Sequence, residues 1–287
     1  MKQDLFRYLP SEIFIDILLR LSLENISTCK CVCKPWLNLI ESDAFLKSNL
    51  SKFSPALAVS IVGTDSNWFN VFKLEDEHEP KHKHKKDPII KFNFPQASTI
   101  QGSVNGLLLL KNPFRSHLYV CNPTTREFVE LSGRLTRPRA DCYGFGVSRI
   151  SGQHKIVYFN PKYDGCHVYT LEAGSSWRCV EVASPSFDCC HNSNGAFVSG
   201  NLHWLVSNLW REPPYICCFD IETECFSTFS APVENFERGL YAWKGKLYTL
   251  GGRLCFCDDD PFDHDGVYVV WLLNEYETVD KCWCQGA

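Results

Sequence analysis

The sequence predicts a two-part fold of the α + all-β class: a small N-terminal unit of three helices, then a longer region of short strands. Three observations predict it. Apolar residues recur at helical spacing up to about residue 50, short apolar runs broken by turn residues follow, and those runs repeat at a period near 50 residues.

Residues 8–50 read as helical. Pro10 suits the first position of a helix, where its missing N–H costs nothing. Ile13, Ile17 and Leu21 lie four apart, with Phe14 and Leu18 beside them, which makes one broad apolar stripe. A break at Ser22-Leu23 leads into a second helix carrying Ile26, Cys29 and Val32. Pro35 restarts the chain and places Trp36, Leu39 and Ile40 on one face of a third helix, with Asp43 as the cap of a last turn at Phe45. Three such helices bury little surface by themselves, so this module is expected to complete its core against a partner.

From residue 56 the pattern changes. Leu57–Val62, Trp68–Leu74, Leu107–Leu110, His117–Cys121, Lys155–Phe159, His167–Leu171, Leu202–Val206, Tyr215–Phe219, Leu247–Leu250 and Val267–Leu273 are short apolar runs. Asn-Gly, Asn-Pro, Lys-Gly and Gly-Gly pairs separate them, which predicts an all-β domain. Glu75–Asp87, mixed in charge and poor in apolar residues, reads as a solvated loop.

The β region also echoes itself. Asn122-x-x-Thr125-x-x-Phe128 returns 98 residues later as Asp220-x-x-Thr223-x-x-Phe226, with Trp177 midway and Tyr276 50 residues beyond Phe226. Gly200/Leu202/Leu205 returns as Gly245/Leu247/Leu250. One small sheet cannot hide both faces, so sheets of this length stack around an axis as the blades of a kelch-type β-propeller.

Composition narrows the function. The chain has 287 residues, a net charge of −4 and a pI near 6.1, which supplies no electrostatic footprint for nucleic acid or an anionic membrane. Its sixteen cysteines follow no secretory signal, since Ile13–Leu21 carries Asp16 and Arg20, and Val267–Leu273 is too short to span a bilayer. The thiols are therefore expected to be reduced and buried, Cys29, Cys31 and Cys33 among them, in a cytoplasmic or nuclear protein.

No cofactor or metal is expected. Cys255-x-Cys257 and Cys282-x-Cys284 are spaced too closely for a structural zinc site, and His82 and His84 sit among lysines. Asp258–Asp265 lacks the frame of a calcium loop and contains Pro261. Gly144-Phe145-Gly146 has no following helix and carries no weight as a nucleotide site, and no nucleophile elbow or P-loop occurs.

The segment LPSEIFIDILLRLSLENISTCKCVCKPWLNLIESDAF resembles the F-box motif. The resemblance lies in Leu9-Pro10, Glu12-Ile13, Ile17-Leu18-x-Arg20-Leu21 and Cys31-Val32-Cys33-Lys34, followed by Trp36, Ile40 and Phe45. Ser22 and Thr28 depart from the usual Pro and Arg, without removing an apolar anchor. The remainder resembles the plant F-box-associated, kelch-like domain family. That likeness rests on Gly102–Leu107, Asn122–Arg126, Tyr143–Gly146, Val168–Leu171, Trp177-Arg178, Leu202–Leu205, Phe219–Glu224 and Trp271–Leu273. Members of that family continue for several strands beyond the Trp-Leu-Leu landmark, so the propeller is expected to be incomplete at its C-terminus.

The resemblance implies an F-box over residues 1–50 and a kelch-like substrate-recognition domain over 51–287. It implies a non-catalytic receptor subunit of a Skp–cullin–F-box ubiquitin ligase, bound to a Skp-type adaptor, through it to a cullin scaffold, and to an unknown target protein. The adaptor-binding positions would be Leu9, Pro10, Glu12, Ile13, Ile17, Leu18, Leu21, Leu23, Ile26, Cys31, Val32, Lys34, Trp36 and Ile40. Loops at one end of the propeller would hold the target, with Trp210 and Arg211 as anchors. Three other readings remain open at this stage: an F-box protein acting outside a cullin ligase, a truncated receptor without ligase activity, and a propeller enzyme with a His/Tyr/Cys metal cluster.

Overall fold

A computed structural model carries the chain from sequence to fold. It describes the chain apart from residues 1–9, 22, 43, 46–47, 49–55, 63–66, 74–86, 113, 115–116, 132–141, 161–164, 182–188, 191–193, 208–212, 234–244, 259–268, 275–282 and 286–287. The expected solvated loop at 75–87, all but its last residue, lies outside the described residues, as do Trp210, Arg211 and Asp43.

Three helices come first: α1 (Ser11–Leu18), α2 (Leu23–Cys29) and α3 (Lys34–Ile40). Pro10 is the cap of α1 rather than its first residue, because its ψ of 148° is extended. Its carbonyl still accepts the N–H groups of Ile13 and Phe14. Pro35 lies in the first turn of α3, where no intrahelical bond needs its nitrogen. At the next turn Ser42 Oγ accepts the Phe45 N–H at 3.3 Å.

Five antiparallel sheets follow in chain order. The first holds β1 (Ala56–Val62), β2 (Asn67–Lys73) and β3 (Ile90–Asn93). The second is the meander β4 (Thr99–Val104), β5 (Leu107–Lys111), β6 (Leu118–Cys121) and β7 (Phe128–Glu130). The third is β8 (Cys142–Val147), β9 (His154–Asn160), β10 (Gly165–Thr170) and β11 (Arg178–Val180). In the fourth, β12 (Cys189–Cys190) and β13 (Ala196–Val198) both pair with β14 (Asn201–Ser207), followed by β15 (Tyr215–Asp220) and β16 (Phe226–Ser230). The fifth is β17 (Lys246–Leu250), β18 (Arg253–Asp258), β19 (Val269–Leu273) and β20 (Trp283–Gln285). Each apolar run picked out in the sequence contains a strand, with Leu74, Val267 and Tyr268 outside the described residues.

The chain divides into two compact units, Met1–Pro95 with Asn122–Glu127, and Gln96–Cys121 with Phe128–Ala287. Within the second unit each sheet packs face to face on the next. Leu109 and Val120 of the second sheet meet Phe145 and Tyr158 of the third. Val157 and Phe159 of the third meet Leu202, Trp204 and Phe219 of the fourth. Leu205 and Ile216 of the fourth meet Leu247 and Phe256 of the fifth.

The repeated motif is a repeated turn. Asn122 Oδ1 accepts the N–H groups of Thr124 and Thr125, and Asp220 Oδ1 accepts those of Glu222 and Thr223. Arg126 and Glu224 occupy the same left-handed place, at φ 62° and 57°, each donating its N–H back to the carbonyl four residues earlier at 2.8 Å. Phe128 and Phe226 then open the outer strand of their sheets.

Gly144 and Gly146 are packing residues. A Cβ on Gly144 would lie 2.6 Å from Leu202 Cδ1 and 2.8 Å from Trp204 Cζ2, and one on Gly146 2.2 Å from Ile221 Cδ1. The third and fourth sheets therefore close on bare backbone. Polar groups seal the same seam. Trp204 Nε1 donates to Tyr143 O at 2.9 Å, and Glu222 accepts Ser148 Oγ at 3.0 Å together with the Arg149 and Ile150 N–H groups. Lys155 reaches Glu224 at 3.0 Å, and Arg178 donates to the same oxygen. Burial by itself would raise the Glu224 pKa, but these hydrogen bonds and charges outweigh it and hold the carboxyl below its ordinary range.

Two outcomes are expected. Gly144→Ala overfills the seam and costs about 1–3 kcal/mol, read from the midpoint of urea unfolding. Glu224→Gln costs about 1–2 kcal/mol at neutral pH, with the half-exposed Arg178 adding little. Because the folded Glu224 pKa is lowered, its contribution is complete above the ordinary value of 4.5 and is lost as pH falls through the folded value. Burial lowers the His154 pKa, so His154 costs stability as pH falls below its ordinary 6.5, starting at a higher pH than Glu224 does. The Gln variant should therefore match the parent more closely at pH 3.5 than at pH 7, and an unchanged gap would disprove the clamp.

Candidate protein-docking surface

The helical module sorts its apolar residues into two stripes. Phe14 and Leu18, four apart on α1, point inward with Ile26, Ile40 and Phe45, and Leu18 is fully buried. Ile15, Leu19, Leu21, Cys29, Trp36 and Leu39 flank this core, and Trp36 meets the Phe14 ring edge-on at 6.0 Å. Ile13 and Ile17, also four apart, form the neighbouring stripe and are 45% and 46% exposed. Val32, at 60%, joins them as an exposed aliphatic side chain of the same small module.

The exposed face of α1 is mixed: Asp16 and Arg20 share it with Ile13 and Ile17. Asp16 and Arg20 pair at 2.6 Å one turn apart on α1, and Lys30 reaches Glu41 at 3.4 Å. Both pairs are exposed and add little to stability. Pro10, Glu12 and Lys34 are exposed as well. Leu9 and the side chain of Leu23 lie outside the described residues.

The fourteen positions expected from the resemblance thus serve two purposes. Leu18, Ile26 and Ile40 make the core, Leu21 and Trp36 border it, and Ile13, Ile17, Cys31 and Val32 stand in solvent. Cys31 and Cys33 are a correction to the sequence reading: they are exposed, because the turn between α2 and α3 turns both outward instead of packing them. Cys179 and Cys225 are exposed too, whereas Cys121 and Cys166 are buried and their thiols are pushed up to about 11 and about 12 by desolvation.

These helices and sheets match known families. An F-box-like family model matches residues 6–51, and the model for the F-box associated beta propeller domain matches residues 58–285. The chain belongs to the F-box associated β-propeller family. Among its relatives in Arabidopsis thaliana, F-box protein At5g65850 is 29% identical over 94% of this chain and 68% of its own length. F-box protein At5g49610 is 28% identical over 94% of this chain and 76% of its own. A third, At3g16210, is 27% identical over 80% of this chain, which spans 62% of that relative. Among the described residues no helix is long and apolar enough to cross a membrane.

The F-box associated domain carries a further exposed aromatic that sequence reasoning missed. Phe114, at the tip of the β5–β6 turn, is 93% exposed. Asn112 ties that turn down: Oδ1 accepts the Phe114 N–H at 2.9 Å and Nδ2 donates to Gln96 O at 2.6 Å. Its signal in the sequence is an aromatic within Asn112–Ser116, a stretch otherwise made of turn formers and polar residues. Trp210 and Arg211, in the sequence between β14 and β15, lie outside the described residues.

Truncation separates the two stripes of α1. Leu18→Ala is expected to cost about 2–5 kcal/mol, enough to open so small a module, while Ile17→Ala changes stability by under about 0.5 kcal/mol. Amide hydrogen exchange across α1–α3 reads the difference, and equal protection in both variants would refute the division.

Proposed function

We propose that this F-box protein is the substrate-recognition subunit of a Skp–cullin–F-box ubiquitin ligase. One observation carries the reading: an F-box module that keeps Ile13, Ile17 and Val32 in solvent although its own core is already filled by Leu18, Ile26, Ile40 and Phe45. Fully burying one such side chain is worth about 1.5–3 kcal/mol. Several together offset the ~4–15 kcal/mol of rigid-body freedom lost on association.

A Skp-type adaptor is the partner that would cover this face, with Leu18, Ile26 and Ile40 holding the helices in register behind it. The β-propeller domain would present a target protein, and its long inter-strand connections, Trp210 and Arg211 included, are the proposed contacts. The chain would act by proximity, holding a target lysine near a thioester formed on another subunit, so it needs no nucleophile of its own. Such a receptor works in the cytoplasm or nucleus.

Ile13→Asp combined with Ile17→Asp should reduce binding to a purified Skp-type adaptor by more than about 100-fold, since two carboxylates would be buried unpaired. Circular dichroism should show the β signal unchanged. Retained binding by the folded double variant would contradict the assignment.

A further inference from the structure

The turn joining α2 to α3 holds a second kind of chemistry. Residues 31–35 are all exposed, and they carry two thiols, Cys31 and Cys33, on either side of Val32. The backbone fixes them there: Cys31 N–H donates to Thr28 O at 3.0 Å, Val32 N–H to Cys29 O at 3.2 Å, and Cys33 O accepts the Leu37 N–H at 3.1 Å. These bonds hold the backbone of the turn, and both residues stand exposed on it. Lys30 and Lys34 adjoin the pair in sequence, Lys34 exposed and Lys30 beside Glu41.

We propose that Cys31 and Cys33 are a thiol-modification site for a small anionic disulfide of the glutathione class, and that the adduct uncouples the chain from its adaptor. The uncoupling rests on the ligase reading above. A cysteine sulfur, as thiolate, attacks one sulfur of the disulfide. The reagent's S–S bond breaks, a protein–S–S–R bond forms, and the departing thiol takes up the proton given up by the cysteine. The disulfide is the oxidant, so the step balances without another reactant. The neighbouring ammonium groups attract the anionic reagent. Buried thiols such as Cys121 and Cys166 are held protonated and out of reach, so the reaction sorts by exposure. The product places a bulky charged group next to Val32, where an apolar surface has to dock.

The full chain is treated with glutathione disulfide, adducts are located by peptide mass mapping, and affinity for a purified Skp-type adaptor is measured before treatment, after it, and after dithiothreitol. Adducts are expected on Cys31 or Cys33, with adaptor affinity reduced at least about tenfold and restored by the reductant. A C31S/C33S chain, compared with itself before and after treatment, should show no change. A C179S/C225S chain should remain sensitive. Adducts on Cys31 or Cys33 with unaltered affinity would overturn the proposal, as would adducts confined to Cys179 and Cys225. If the untreated chain fails to bind adaptor, the ligase reading falls and the uncoupling with it, while the adduct map still decides whether these two thiols are the reactive ones.

Discussion

A small antiparallel sheet has two faces to hide and too little chain to hide them, so everything in the β region depends on how closely one sheet can approach the next. Between the third and fourth sheets that approach is made by leaving side chains out. Gly144 presents bare backbone to Leu202 and the indole of Trp204, and Gly146 presents it to Ile221 and Phe197. The burial creates an obligation, because an indole N–H sealed in an apolar seam costs free energy unless it is bonded. Tyr143 O meets it, and the same carbonyl also accepts the Gly195 N–H from the neighbouring strand segment.

Polar groups at the rim of this seam add direction to what apolar packing makes adhesive. Asn122 and Asp220 do the same work in two sheets, closing the turn before the outer strand through side-chain oxygens that imitate a backbone carbonyl. The later copy does more. Its Glu222 and Glu224 reach across to the β8–β9 turn, to Lys155 and to Arg178. One turn chemistry is thus kept for local closure and varied at two positions to bind sheet to sheet.

The helical module solves the opposite problem. With so few residues it can seal one stripe of α1 but not two, so Phe14 and Leu18 are buried and Ile13 and Ile17 are left outside. That exposed stripe is the surface on which the proposed adaptor would dock. In the β domain Asn112 bonds Gln96 O and the Phe114 N–H beside the exposed Phe114.

Much of this was legible in the sequence alone. Strand positions followed from short apolar runs bounded by turn formers, and the 98-residue echo of Asn122 in Asp220 reported a real structural repeat, because both residues make the same local hydrogen bonds. Helix positions followed from apolar spacing, since periodicity reports which element forms. Periodicity does not report which of two adjacent stripes wins the interior. Ile13, Ile17 and Leu18 are equivalent as letters, and only the packing of α1 on α3 set Leu18 inside. The same holds for Cys166, buried by residues far away in sequence, and for Gly144, whose missing side chain has meaning only beside Leu202 and Trp204. Local chemistry chose the elements, and contacts between residues distant in the chain chose their faces.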